Sequence, residues 1–144
     1  MIKIICVGKI KEKFYRDAIA EYLKRLSKYH KIVIEELPDS NKQKEEKLLL
    51  KKLNQKDYNI ILDIDGKMLN SIELSNHLDK TFQINSNITF IIGGSDGLTE
   101  NVKKTANLKL YFSKMTFPHQ LFRVILLEQI YRSFKIINNE TYHK

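Results

Sequence analysis

Apolar positions along the chain fall into short continuous runs and longer stretches with helical spacing. Ile2–Gly8 reads as a strand that ends in glycine. Phe14, Ala18, Ile19, Tyr22, Leu23 and Leu26 recur at helical intervals, which predicts a helix over about 14–29. Lys31–Leu37 is a second strand, stopped by Pro38. A helix over 41–54 would carry Leu48, Leu49, Leu50 and Leu53 opposite a charged face. Asn59–Ile64 is a third strand, and Asp65-Gly66 after it is a turn signal. Ser71 can cap a helix carrying Ile72, Leu78 and Phe82. Ile88–Ile92 is almost wholly apolar, as a strand buried on both faces would be. Thr99 can cap a short helix through about Ala106, and Leu108–Ser113 is a fifth strand. Pro118 can open a last helix that reaches Ile137.

Strict alternation of strands and helices predicts an α/β fold. Its mainly parallel sheet would have five to six strands with helices on both faces. Such sheets bind ligands beyond the carboxyl ends of their strands, where loops lead into helices. The loops after Ile64, Ile92 and Ser113 are therefore the places to look for chemistry. No repeat or low-complexity linker divides the 144 residues, so a single domain over 1–144 with a real core is expected.

Charge adds a possible partner. The net charge is +8, and its distribution is uneven. Residues 1–31 carry nine basic and three acidic side chains, 32–102 eight and twelve, and 103–144 eight and two. If the basic ends meet in space, they make a face suited to phosphate. A lysine-rich composition without a partner explains the total as well, since only four of the 25 basic residues are Arg. No stretch approaches the roughly 18 apolar residues of a membrane span, and the start lacks the shape of a secretory signal. The single Cys6 lies in an apolar run and reads as a small buried hydrophobe. A reducing, cytoplasmic setting is expected.

Four motifs carry candidate chemistry. In Ile91-Ile92-Gly93-Gly94-Ser95-Asp96-Gly97-Leu98-Thr99 a buried strand enters a glycine-rich loop and then a capped helix. Glycines let a ligand approach the backbone closely, although a tight turn also explains some of them. The loop is neither a P-loop nor a complete dinucleotide fingerprint. Asp63-Ile64-Asp65-Gly66-Lys67 could serve a metal or a ribose, or simply turn the chain. Phe112 through Gln120 offers a polar and apolar loop before a Pro-started helix, which suits an adenine pocket or an ordinary loop. The last helix is apolar around much of its circumference, so Arg123, Glu128 and Arg132 need partners, either within the chain or across an interface. The tail ending Tyr142-His143-Lys144 reads, by itself, as a frayed end. HxxxH and CxxC patterns are absent, and no metal is expected.

Together these motifs resemble one family. LDIDGK at 62–67, FIIGGSDGLT at 90–99, SKMTFPHQLFRVILLEQIYRSFKI at 113–136 and YHK at 142–144 are similar to the ribosomal RNA large subunit methyltransferase H family. Its members are small SPOUT-class enzymes that methylate N3 of a pseudouridine in large-subunit (23S) rRNA. The resemblance runs from end to end in matching order; its C-terminal half is specific, and residues 38–57 carry little signal. It implies S-adenosylmethionine as methyl donor, a homodimer, and the ribosome as partner. It also implies a deep trefoil knot at the C-terminus, where general topology rules favour an unknotted sheet. Carried across motif by motif, the cofactor contacts are Leu62, Gly93, Gly94, Phe112, Ser113, Lys114, Met115, Thr116 and Phe117. The family tolerates variation at Asp65, Ser95 and Asp96.

The chemistry then suggests roles for the tail. An imide nitrogen is a poor nucleophile until it loses its proton. His143 is a candidate base, Tyr142 can stack on a nucleobase, and Arg132 can hold a phosphate or a deprotonated ring. Two other readings stay open: a non-catalytic RNA- or ribosome-binding protein, and a nicotinamide-dependent oxidoreductase with a distorted dinucleotide fold. The missing fingerprint after the first strand weighs against the latter.

Overall fold

The computed structural model describes residues 1–144. The chain runs β1 (Ile2–Val7), α1 (Lys13–Leu26), β2 (Ile32–Leu37), α2 (Lys42–Lys52), β3 (Tyr58–Met68) and α3 (Ser71–Ile84). It continues through β4 (Ile88–Ile92), α4 (Glu100–Lys103), β5 (Leu108–Tyr111) and α5 (His119–Ile137). The strands form one sheet in the order β2-β1-β4-β3-β5, and every pairing is parallel. The sheet therefore has five strands, without the sixth that the pattern allowed.

Successive side chains along a strand point to opposite faces, and this decides which helices cover which side. Ile2, Ile4, Cys6, Ile60 and Phe90 meet Leu26 of α1, Leu74 and Leu78 of α3, and Leu126, Leu127 and Ile130 of α5. Ile5, Val7, Ile61 and Ile91 point the other way, under Leu49 of α2 and Val102 of α4. Full burial of each such side chain contributes about 1.5–3 kcal/mol. All five residues of β4 are buried, which is why its sequence is apolar without alternation. Burial pushes the Cys6 thiol up to about 11, so it stays an unreactive thiol.

Four expectations change. The cap of α3 is Asn70 rather than Ser71. Asn70 Oδ1 accepts from the Glu73 N–H, and the Glu73 carboxylate accepts from the Asn70 N–H. Ser71 lies inside the first turn and donates its hydroxyl to Gln129 on α5 at 2.6 Å. Asp65-Gly66 is not a turn between strand and helix. β3 continues to Met68, and the residues between Leu62 and Lys67 bulge, since both of these pair with Leu110. Gly66 is needed for close approach: a Cβ there would lie 2.7 Å from the Lys109 carbonyl carbon. Finally, α4 is a single turn capped by Thr99, and β5 ends at Tyr111, two residues early.

β5 lies at the edge beyond β3, yet α5 returns to the far side of β4. There the Arg123 guanidinium donates to the carbonyls of Val7 and Gly8, at the end of β1. This return across the carboxyl ends of β3 and β4 is consistent with the knot that the resemblance implies.

Candidate active site

A cavity of about 500 Å³ lies past the carboxyl ends of β3, β4 and β5. Leu62, Gly93, Gly94, Phe112, Ser113, Lys114, Met115, Thr116 and Phe117 all line it. Three loops far apart in sequence thus converge because their strands are neighbours in the sheet. In the glycine loop, the Gly97 N–H donates to the Gly94 carbonyl at 3.0 Å, and Gly97 adopts φ +76°, which a side chain rarely tolerates. A Cβ on Gly93 would lie 2.9 Å from the Leu98 side chain, so this glycine lets the loop close on itself. The last loop is braced by Ser113 Oγ, which accepts from the Met115 N–H at 3.0 Å. Behind it Phe122 stands edge-on to Phe112, with ring centres 5.0 Å apart, and Phe117 lies at 6.5 Å. These rings make an apolar wall beside backbone polar groups.

Asp63, one of two aspartates in an ambiguous motif, proves to be a distinctive wall residue. Its side chain is only 5% exposed, and Oδ1 pairs with Lys103 Nζ at 3.2 Å. Its Oδ2 is buried without a hydrogen-bond partner. Asp65 lies in the bulge outside the cavity wall. The sequence signal that separates them is position: Asp63 directly follows the apolar run of β3 and so enters the sheet's carboxyl end first. His119 and Phe122, at the start of α5, also line the cavity; both fall within motifs read from the sequence, but neither was among the expected contacts.

A second cavity, of about 510 Å³, adjoins the first and shares Gly94, Ser95 and His119 with it. It lies past β1 and β2. Its floor is held by the buried Arg123, which also pairs with Glu36 at 2.8 Å. For Arg123 the internal partner is therefore the right reading.

The tail is not frayed. Asn139 turns the chain at φ 54°, and Glu140 then accepts from Tyr29, in the turn after α1, at 2.7 Å and from Lys135 of α5 at 3.0 Å. Glu128 collects the rest: Tyr22 and Tyr142 donate to one oxygen at 2.9 and 2.8 Å, and Arg132 to the other at 2.8 Å. Arg132 also lies over the Tyr142 ring at 4.7 Å and reaches His143 Nδ1 at 3.1 Å. Burial and the bond to Glu128 raise the Tyr142 phenol above its usual value, so it acts as a donor and not as a base. Arg132, Tyr142 and His143 therefore form one cluster. None of the three lines either cavity of the same chain. Arg132 lies 13 residues along α5 from His119, about 20 Å at the helical rise.

No three His, Cys, Asp or Glu side chains are grouped as metal ligands would be. No helix is long and apolar enough to cross a membrane.

A family model described as a predicted SPOUT methyltransferase matches residues 1–143. The chain is 50% identical to ribosomal RNA large subunit methyltransferase H 1 of Clostridium perfringens, over 99% of both chains. It is 52% identical to ribosomal RNA large subunit methyltransferase H of Clostridium botulinum, again over 99% of both. Among solved structures, the SpoU methyltransferase AviRb from Streptomyces viridochromogenes superimposes with a TM-score of 0.51 at 9% identity. That match covers 98% of this chain and 62% of the other, and it concerns the fold alone.

Proposed function

The chain belongs to the SPOUT methyltransferase family, and from that premise we propose that it transfers a methyl group from S-adenosylmethionine to N3 of a pseudouridine in large-subunit rRNA. The names of its whole-length relatives support an rRNA substrate. The observation that carries the reading is the convergence of nine carried-over positions on one cavity wall.

The residues present fit the donor. The Phe112, Phe117 and Phe122 rings and the backbone of 113–116 suit an adenine, which apolar walls and backbone groups can hold without a charged side chain. The unpartnered Asp63 Oδ2 is an acceptor suited to a ribose hydroxyl. Bound S-adenosylmethionine supplies a methyl group already activated on a sulfonium. The protein's tasks are then to align donor and acceptor and to exclude water. The acceptor imide must lose its proton. His143 is our candidate for taking it, with Arg132 holding the resulting negative charge and Tyr142 stacking on the base.

Since these three side chains lie away from the cavity of their own chain, the reading requires a second copy. In a homodimer the tail of one protomer would complete the cavity of its partner. Ile64 and Met115, which line the cavity yet are 78% and 76% exposed, are apolar surface suited to such a contact.

Calorimetric titration tests the reading most directly. S-adenosylmethionine or its demethylated product should bind one site per chain, and NAD should give no heat. Binding of NAD, or RNA binding without any cofactor affinity, would replace the proposal with one of the two other readings.

A further inference from the structure

Methyl transfer needs two adjoining spaces, one for the donor and one for the acceptor. Two cavities adjoin the proposed donor cavity. One, of about 270 Å³, shares Leu110 and Phe112 with it and is lined by no charged side chain. The other, of about 510 Å³, shares Gly94, Ser95 and His119 and is lined by Lys9, Lys11 and Arg123 among others. An RNA acceptor brings a phosphate with every nucleotide, so charge decides between them. We infer that the cavity past β1 and β2 is the acceptor site. It takes the target nucleotide with its base toward the wall shared with the donor cavity and its phosphate on Lys9 and Lys11. The inference rests on the methyltransferase reading above.

The loop that carries the two lysines is built to present them. The Gly8 N–H donates to the Leu37 carbonyl at 2.8 Å, and the Gly8 carbonyl accepts from Arg123. The Ile10 N–H donates to Glu36 at 2.9 Å, and the Ile10 side chain is buried. The Lys11 N–H donates to Gln120 Oε1 at 3.2 Å, and its carbonyl accepts from Arg16 at 2.9 Å. The backbone is thus tied to β2, α1 and α5, while the Lys9 and Lys11 side chains stay exposed. Neither lysine enters an ion pair. Of the two carboxylates in this wall, Glu36 is already engaged by Arg123 and the Ile10 N–H. With the loop's backbone already fixed, only the lysine side chains lose freedom on meeting a phosphate.

Position in the sheet agrees. From β1 the chain goes to β2 on one side, while β4 flanks β1 on the other. In open α/β sheets the crevice at such a reversal is a common ligand position. The proposed donor cavity sits to one side of it, over β3, β4 and β5, and leaves it for the second substrate.

The test uses full-length protein and ribosomes lacking the modification. Lys9→Glu with Lys11→Glu reverses the exposed charge, and Asp39→Trp places bulk in the same cavity without touching the other. Lys56→Glu with Lys80→Glu is the control, at the opposite end of the sheet. The double reversal should raise KM for ribosomes by about tenfold or more and reduce its salt dependence. Asp39→Trp should lower kcat/KM comparably, and S-adenosylmethionine affinity should stay within about twofold in both. Wild-type kcat/KM in both variants, an equal loss in the control pair, or a matching loss of cofactor affinity would overturn the assignment. If wild-type protein binds no S-adenosylmethionine, the methyltransferase reading itself fails, and this inference falls with it.

Discussion

Gly93 has no room for a side chain, because Leu98 and the Gly97 backbone occupy the place of a Cβ. Gly93→Val must push the loop outward, and the loop forms a wall of the proposed donor cavity. We expect a folded protein whose S-adenosylmethionine affinity falls at least about tenfold, read by calorimetry. Unchanged affinity in a folded variant would detach this loop from the site. Two histidines set a different sensitivity. Burial lowers the imidazole pKa of His30 and of His77, the latter bonded through Nε2 to the Tyr58 hydroxyl at 2.9 Å. The unfolded chain therefore takes up these protons at higher pH than the folded one. Their contribution to stability is complete above the ordinary imidazole value of about 6.5 and is lost as pH falls through the lower folded values. The melting temperature should drop between pH 7.5 and 5.5. His77→Gln, which can keep a bond to Tyr58, should shrink that drop, and an identical pH profile would show that His77 does not contribute.

The tail is the element whose role the structure changes most. Removing Tyr142, His143 and Lys144 leaves Glu128 with Tyr22 and Arg132, so the protein should stay folded. Methyl transfer should fall about a hundredfold or more while cofactor affinity changes only a few-fold. His143→Ala should lose most of its rate near pH 7 and recover part at higher pH, where the acceptor imide ionises unaided. Full turnover by the truncated protein would end the tail's catalytic role. The same element shows what a sequence can and cannot disclose. The strands were legible because each is an apolar run, and the three site loops because they follow those runs. Docking of the tail was not legible: Glu140 finds Tyr29 in the turn after α1 and Glu128 finds Tyr22 on α1, each more than a hundred positions away. Gly66 was read as a turn because its true reason, the Lys109 and Leu110 backbone, lies on a different strand. At α3, adjacent Asn70 and Ser71 are both competent caps; Glu73, three residues after Asn70, favours Asn70 through the reciprocal bond, and Gln129 on α5 takes up Ser71.

At the scale of the whole molecule, the proposed donor cavity and the tail sit toward opposite ends of α5. In the proposed dimer a two-fold axis makes the contact reciprocal, so if one tail reaches its partner's cavity the other does too. Sedimentation at micromolar concentration should therefore give a dimer. Mixing Gly93→Val chains with tail-deleted chains should restore activity, because one interface in the hybrid pairs an intact cavity with an intact tail. A monomer, or a mixture with no recovered activity, would rule out the shared site.

Arg123 has one more consequence. Its bonds to Val7 and Gly8 join positions 116 and 115 residues apart. Closing a loop that long costs about 4 kcal/mol of chain entropy beyond the fixed term, and nothing compensates until both partners are in place. The floor of the second cavity should thus be among the last parts to form as the chain folds. Refolding intermediates would hold much of the sheet and its helices before the second cavity was complete. Binding competence should lag behind the recovery of secondary structure.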